Sequence, residues 1–381
     1  MTKPTAKTWY RPSDTPKDRL TFGVELEIAL PSLLVGELDP NTEDPRSCYG
    51  IPTGPLSPEE NARQHVAATL LEADIPAEAE IKPADWPLWK PQSLCSWVIK
   101  EDLDIWPPNN ASSTYEWHAV ELNSPPFDYS EEAVAEVLFV VSLLTNKYRC
   151  ALTQRTALHI HVGNSEQGFD AETSQKLLGT YWTFEPLIEG IHPKFRIDNL
   201  ATLSLRRGSV MMCQGAETRR PAMLPKDKRN PAGGLEWLLE EANCNLEKLS
   251  DATESYRKYP KHGPYGADNH FVYGDPVGEQ RSAVNIRNLK GRSMKTVEFR
   301  QHTMTLNCER VDHWLRFCVG LVEFAGNVDM KALKPFLEEH VDGSGGMDLK
   351  GALTEIGLQR EALYFGAVIE KKQQSPAEAG A

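Results

Sequence analysis

The sequence predicts an α+β fold built on a largely antiparallel sheet. Strand-like runs, in which apolar and polar residues alternate with period two, mix with helix-like runs without a regular βαβ rhythm. The last two strand-like runs, at 282–289 and 294–302, are joined by the short turn Lys290-Gly291-Arg292. A turn of this length predicts an antiparallel hairpin.

The elements follow from local patterns along the chain. The predicted strands lie at 21–30, 96–100, 117–122, 156–163, 282–289 and 294–302. Helices are expected after the cap Ser57-Pro58-Glu59-Glu60, after Pro125-Pro126 and at 171–189, and they fill most of 308–370. Pro31 is expected to end the first strand. The charged stretch 206–234 is interpreted as a mobile insertion.

Both ends of the chain are polar and are not expected to join the folded part. Residues 1–19 form a polar N-terminal segment and 371–381 a flexible tail, because both have few apolar anchors. We expect a catalytic domain over 20–330 and a helical extension over 331–370.

Composition restricts the partners and the location. The 381 residues include 41 basic and 54 acidic side chains, a formal net charge of −13. Phosphate backbones repel such a chain, so nucleic acid is not expected as a partner. Apolar runs fall short of the roughly 20 residues of a membrane span, and residues 1–20 lack a signal-peptide pattern. We therefore expect no membrane partner and a cytoplasmic location. The seven cysteines form no CxxC pair, which predicts free thiols.

Two carboxylates share one face of the first predicted strand. Residues two apart in a strand project from the same side about 6.6 Å apart, so Glu25 and Glu27 point together. The segment offers them no basic neighbour, and a hard divalent cation would relieve their repulsion. A solvated acidic face of a half-buried strand shows the same alternation, so this motif alone leaves both interpretations open.

The strand at 156–163 repeats the pattern with imidazoles. His159 and His161 share one face, and branched apolar residues take the other. Such a pair is typical of a metal or phosphate site, of a zinc centre, or of two hydrogen-bonded histidines.

Two further strands carry charged residues between apolar neighbours. Glu298, Arg300 and His302 share one face of the last strand, where a structural ion pair is an alternative to a functional site. Glu121 is a lone carboxylate within 117–122. Together the four strands predict a polar site on the concave face of a curved sheet, with helices packed outside. Neither GxxxxGK[ST] nor GxGxxG occurs, so side chains and metal would have to hold any nucleotide.

These motifs resemble those of a known family. The segments that carry the resemblance are Phe22-Gly23-Val24-Glu25-Leu26-Glu27, Leu158-His159-Ile160-His161-Val162-Gly163 and Val297-Glu298-Phe299-Arg300-Gln301-His302. They are similar to the three signatures of the amidoligases, carboxylate-amine ligases with a glutamine synthetase-like catalytic fold. Supporting segments lie at 97–102 and 120–125, and at Glu185, His192-Pro193, Arg196 and Asn285. The chain departs from the pattern after Asp102, where small residues are usual, and at Met304, where glycine is usual.

The resemblance implies a ligand set and a reaction. The metal ligands would be Glu25, Glu27, Glu121, His161 and Glu298, which would hold Mg²⁺ or Mn²⁺ against the phosphates of ATP. His159 would contact phosphate or metal, and Arg300 would lie over the γ-phosphate. Arg196 and Asn285 are candidates for gripping the substrate carboxylate or the nucleotide. The partners would be a small-molecule or peptide carboxylate and an amine, joined through an acyl phosphate. The segment 206–234 is the candidate cover of the site.

Three other functions remain open from the sequence. A phosphotransferase would stop at a phosphorylated small molecule. A zinc-dependent hydrolase would use the His-x-His strand. A non-catalytic relative would bind nucleotide without consuming it.

Overall fold

The computed structural model describes most of the chain. The described residues are 20–33, 36–46, 48–50, 55–81, 94–109, 114–165, 167–197, 199, 201–212, 224–255, 259–260, 271–272, 281–291 and 295–374. The predicted N-terminal segment 1–19 and residues 375–381 of the predicted tail lie outside them. Residues 371–374 belong to the last helix.

The chain divides into two compact units. The strand-rich unit comprises Thr21–His161 and His302–Leu315, and the helix-rich unit comprises Met1–Leu20, Val162–Gln301 and Arg316–Ala381. The predicted boundaries at 330 and 370 remain a prediction.

The strand-rich unit is built on β1, its longest strand. Its elements are β1 (Thr21–Leu33), β2 (Tyr49–Gly50), α1 (Pro58–Glu72), β3 (Ala77–Ala79), β4 (Trp97–Lys100), β5 (Tyr115–Asn123), β6 (Phe127–Asp128), α2 (Glu131–Lys147) and β7 (Ala157–Gly163), of which Ala157–His161 belong to this unit. The strand order is β7-β1-β5-β4-β3, and β2 and β6 also pair with β1. β1–β5, β1–β6 and β4–β5 are antiparallel, whereas β1–β2 and β3–β4 are parallel. The predicted α+β class with a mostly antiparallel sheet is confirmed.

β1 continues past the predicted stop. The strand includes Pro31, and pairing with β5 on both sides of the proline, from Leu30 opposite His118 to Leu33 opposite Tyr115, carries the ladder through it. One face of β1 forms the core, because Val24, Leu26 and Ile28 are at most 1 % exposed.

The predicted cap of α1 is confirmed. The Ser57 hydroxyl accepts the Glu60 N–H, and the Glu60 carboxylate accepts the Ser57 N–H, which forms a capping box. α1 packs against β3, β4 and β5. The strand β3 lies in a stretch that the sequence indicated to be irregular.

The helix-rich unit surrounds a buried central helix. Its elements are α3 (Ala171–Glu189), α4 (Lys194–Ile197), α5 (Leu205–Gly208), α6 (Pro231–Glu236), α7 (Leu246–Thr253), β8 (Tyr259–Pro260), β9 (Phe271–Val272), β10 (Val284–Asn285), β11 (Thr296–Thr303), α8 (Cys308–Asn327), α9 (Met330–His340), α10 (Leu349–Glu355) and α11 (Gln359–Gln374); the last two residues of β11 and the start of α8 belong to the other unit. α3 has the predicted bounds and contacts α6, α7, α9 and α10.

The late strands pair as predicted but differ in length. β10 and β11 are antiparallel, with Val284 opposite Phe299 and Asn285 opposite Glu298. β10 has only two residues, because the chain turns into a 3-10 helix at Arg287–Lys290 where a strand was expected. None of the helices in the described part of the chain is long and apolar enough to cross a membrane.

Candidate active site

One face of the strand-rich sheet is polar. β1 and β5 are in register so that Glu25 lies opposite Asn123 and Glu27 lies opposite Glu121. Alternation therefore places the predicted carboxylates together on the face opposite the apolar core. Glu27 and Glu121 are buried, at 5 % and 6 % exposed.

The two histidines of β7 contact Glu25. Nδ1 of His159 lies 2.8 Å from Oε2 of Glu25, and Nε2 of His161 lies 3.2 Å from Oε1. Burial alone would raise the pKa of Glu25, but His161 and His159 hold that pKa well below its usual range. Glu25 is therefore an anion at neutral pH.

His159 also faces the second carboxylate of β1. Its Nε2 lies 3.6 Å from Oε1 of Glu27, while Oε2 of Glu27 accepts the backbone N–H of Ala157 at 2.7 Å. His159 is 3 % exposed. Its ring thus stands between the two carboxylates.

Glu121 has partners on both sides. Its Oε1 lies 3.1 Å from Nζ of Lys100 and 3.1 Å from Nδ2 of Asn123. Burial and the charge of Glu25 raise the pKa of Glu121 to about 7, although Lys100 opposes this rise. Burial and the nearby charge of Glu25 therefore disfavour the anionic form of Glu121.

These contacts correct one step of the sequence argument. Glu25 and Glu27 have no basic neighbour in their own segment, but His159, His161 and Lys100 supply positive or donor groups from other strands. Mutual repulsion along β1 is therefore weaker as an argument for metal than the sequence indicated. Lys100 was missed, although its place at the end of the alternating run 97–100 was visible.

Asp102 closes a turn after β4. Its Oδ1 accepts the N–H of Asp104 at 2.8 Å, a local turn contact. Met304, at the position where glycine is usual, is 3 % exposed, so its side chain joins the core. His302 packs against Trp314, with ring centroids 5.0 Å apart.

In the helix-rich unit, Glu298 is held from both sides. Its Oε1 accepts a hydrogen bond from Nη1 of Arg300, and its Oε2 accepts from Nδ2 of Asn285 at 2.8 Å. Glu298 is 3 % exposed. Asn285 therefore orients the carboxylate of Glu298 rather than presenting its amide freely.

Arg196 supports the strand that carries Arg300. Its Nη2 donates to the carbonyl of Arg300 at 2.7 Å, and its Nε donates to the carbonyl of Gln301 at 3.2 Å. The residue is 1 % exposed. These contacts place two donors of the guanidinium on the backbone of β11, and the role of Arg196 in ligand binding stays a prediction.

Gln301, which interrupts the apolar side of β11, has a buried partner. The Tyr181 hydroxyl of α3 donates to Oε1 of Gln301, and Gln301 is 2 % exposed. The polar residue on this face is thus a link between β11 and the central helix.

The predicted mobile insertion is anchored at both described ends. At its start, the guanidinium of Arg206 donates to the carbonyls of Trp182, Thr183 and Val341. At its end, a Cβ on Gly234 would lie 2.1 Å from a ring carbon of Trp182, so this backbone packs tightly. The expectation of a loop is wrong for 206–212 and 224–234, which form short helices and turns. Its centre, 213–223, lies outside the described residues.

Glu185 is a buried carboxylate that receives three hydrogen bonds. The donors are the Ser204 hydroxyl and the N–H groups of Leu205 and Arg206. Burial raises the pKa of Glu185 to about 7 despite these donors. The residue is 0 % exposed, and it ties α3 to the start of α5.

The polar face offers a donor set that suits a hard cation. Carboxylate oxygens are the preferred ligands of Mg²⁺ and Mn²⁺, and a neutral imidazole is tolerated beside them. Within the strand-rich unit, Glu25, Glu27, Glu121 and His161 supply these donors. A bound cation would favour the anionic form of Glu121, which burial and the charge of Glu25 disfavour.

A comparison with family models identifies the type of chain. Residues 18–203 match the model of a family described as "Putative amidoligase enzyme". Over this range, just under half of the chain, the sequence is similar to the amidoligase family. The resemblance drawn from the motifs is thereby confirmed, and the match includes Glu25, Glu27, Glu121, His159 and His161. The segment with Glu298 and Arg300 lies beyond the matched range.

Other comparisons add little to the amidoligase assignment. No curated protein matches the chain. A crystal structure of a bifunctional glutathione synthetase from Pasteurella multocida is similar over 96 % of this chain and 48 % of that one, at 10 % identity and a TM-score of 0.34. This chain thus spans about half the length of that structure.

Proposed function

We propose that this chain is an ATP-dependent carboxylate-amine ligase with a glutamine synthetase-like catalytic fold. The observation that carries the proposal is the polar face of β1, β5 and β7, where three carboxylates and two imidazoles meet within a family-matched segment. A structural ion pair needs two such groups, whereas this face gathers five.

The acidic residues would hold Mg²⁺ or Mn²⁺. The proposed ligands are Glu25, Glu27, Glu121, His161 and Glu298. When bound, the cation supplies positive charge for the phosphate oxygens of ATP. His159 would keep Glu25 and Glu27 apart and oriented, since it lies 2.8 Å from one carboxylate and 3.6 Å from the other.

Arg300 would stabilise the transferring phosphoryl group. Its planar guanidinium can place two N–H donors on phosphate oxygens. Arg196 would support it indirectly by holding the carbonyl of Arg300 at 2.7 Å. Asn285 would orient Glu298 through the 2.8 Å hydrogen bond to Oε2. Both residues thus act on groups of the site rather than on the ligand.

The reaction would proceed in two displacements. An oxygen of the substrate carboxylate attacks the γ-phosphorus of ATP, the bond to the bridging oxygen breaks, and ADP leaves. The amine nitrogen then attacks the carbonyl carbon of the acyl phosphate, phosphate leaves with the bonding electron pair, and the amine loses a proton to solvent. This route replaces a poor leaving group by phosphate.

Nucleotide binding tests the proposal without knowledge of the acid and the amine. We would titrate the protein with a non-hydrolysable ATP analogue by calorimetry, with and without Mg²⁺. Binding that requires Mg²⁺ is expected for the parent, and Glu298→Gln is expected to weaken it at least about 10-fold. A matched control is Glu189→Gln, which removes a buried carboxylate of α3 that is paired with Arg207 of α5.

The outcomes separate the proposal from its alternatives. Mg²⁺-dependent binding that Glu298→Gln weakens and Glu189→Gln spares supports the ligase, and a screen of acid and amine pairs for ADP release would follow. A protein that binds zinc but no nucleotide would contradict the proposal. Transfer of phosphate to a product without amide formation would indicate a phosphotransferase.

A further inference from the structure

Lys100 reaches the carboxylate cluster from the strand beside β5. It stands directly opposite Glu121 in the β4–β5 ladder, and its Nζ lies 3.1 Å from Oε1 of Glu121. The Lys100 side chain is 38 % exposed, whereas that of Glu121 is 7 % exposed. The ammonium thus contacts a buried carboxylate although the lysine side chain as a whole is part-exposed.

Lys100 supplies a positive charge to the cluster. A lysine side chain is ordinarily an ammonium ion at neutral pH. Lys100 therefore balances a negative charge of the cluster at Glu121, 3.1 Å away.

Lys100 occupies an atom that a metal ion would need. Oε1 of Glu121 already receives Lys100 and the amide of Asn123, each at 3.1 Å. A divalent cation at this oxygen would compete with the ammonium, because the two positive charges repel each other and the oxygen already receives two donors. The flexible stem lets the displaced ammonium return to water at small cost.

We propose that Lys100 is a built-in counter-ion that competes with a divalent cation for Glu121 and thereby sets the metal affinity of the carboxylate cluster. This inference rests on the proposed function, since it takes Glu121 as a metal ligand. Without metal, Lys100 stabilises the buried carboxylate. With metal, the doubly charged ion replaces it.

Titration with Mn²⁺ alone tests this role. Free Mn²⁺ would be followed by electron paramagnetic resonance at pH 7 without nucleotide. Lys100→Met is expected to bind Mn²⁺ about 10-fold tighter than the parent, because it removes one competing charged hydrogen bond. Lys100→Gln keeps a donor without the charge, and its affinity for Mn²⁺ should also rise. This second variant keeps the test decisive if Lys100→Met does not fold. Lys100→Arg keeps the charge and should remain near the parent.

A second lysine provides the matched control. Lys147 pairs with Glu72 at 3.2 Å, and its side chain is 37 % exposed, but its partner is 72 % exposed. Lys147→Met should therefore leave Mn²⁺ affinity unchanged. The thermal stabilisation by Mn²⁺ should be larger in Lys100→Met than in the parent, since the metal there replaces a missing cation.

The result separates this inference from the proposed function. Parental or weaker Mn²⁺ affinity in both Lys100→Met and Lys100→Gln, with Mn²⁺ bound by the parent, overturns the role of Lys100 and leaves the ligase site standing. A parent that binds no Mn²⁺ overturns both.

Discussion

Nδ1 of His159 lies 2.8 Å from Oε2 of Glu25, which joins the two most distinctive sequence motifs of this chain. The contact brings residues of two separate motifs into one buried cluster. Each motif alone also fits a structural explanation, and their meeting on one face is what favours a site. The functional importance of this face can be measured by removing a single charge.

Glu25→Gln should weaken metal binding. The amide keeps the size of the side chain but loses the negative charge that a hard cation requires. Mn²⁺ affinity is expected to fall at least about 10-fold. Calorimetric or resonance titration would measure this fall. Glu72→Gln, on an exposed carboxylate of the same unit, should bind Mn²⁺ as the parent does; equal losses in both variants would argue against a site at Glu25.

Arg196→Lys should disturb Arg300 without touching the ligand. Lysine cannot donate to both carbonyls that the guanidinium bridges at 2.7 and 3.2 Å. One buried acceptor is left without its donor, so the free energy of unfolding should fall by about 1–3 kcal/mol. The affinity for an ATP analogue should fall as well, because β11 loses a support.

Denaturant unfolding and nucleotide titration would be measured on the same Arg196→Lys protein. Arg207→Lys is the control, since Arg207 pairs with Glu189 near the surface and its side chain is 50 % exposed. It should cost at most about 1 kcal/mol. Full loss of nucleotide binding in Arg207→Lys would show that the effect is not specific to the support of β11.

The sequence predicted patterns within segments better than contacts between them. Period-two alternation identified β1, β5, β7 and β11, and the capping signal of Ser57 identified α1. Cross-strand register is not written in any one segment, so Lys100 opposite Glu121 was missed. The contacts of Arg196 with backbone carbonyls could not be predicted either, because a sequence does not reveal where a buried arginine places its donors. The prediction of a longer strand at 282–289 was wrong for a local reason, because a 3-10 helix takes the place of the second half of the strand.

The buried contact between Tyr181 and Gln301 should behave as a coupled pair. Tyr181→Phe leaves Oε1 of Gln301 without its donor and should cost about 1–3 kcal/mol. Gln301→Leu alone leaves the tyrosine hydroxyl buried at a similar cost. The double variant removes both polar groups, so its loss should be smaller than the sum of the single losses. Denaturant unfolding of the four proteins measures this difference, and additive losses would mean that the contact contributes no coupling.

Glu185 should make stability depend on pH. Its pKa is raised to about 7 by burial, so the folded state binds a proton that the unfolded state has already released. The contribution of Glu185 to the free energy of unfolding is therefore largest below the pKa of the unfolded state. It declines as pH rises toward and through the pKa of the folded state. The difference between about 7 and the ordinary value corresponds to about 3 kcal/mol, most of it lost between about pH 5 and 8.

The matched variant for this test is Glu185→Gln, whose amide does not titrate. It disturbs the hydrogen bonds from Ser204 and Arg206 at every pH, so its absolute stability should be lower in acid. The informative quantity is the change in the parent-minus-variant free energy of unfolding between pH 5 and pH 8. A decrease of about 3 kcal/mol is expected, because only the parent must lose a buried proton as pH rises. A constant difference would mean that Glu185 is ionised in the folded state from pH 5 to pH 8. The three hydrogen bonds would then stabilise the carboxylate anion by more than burial destabilises it.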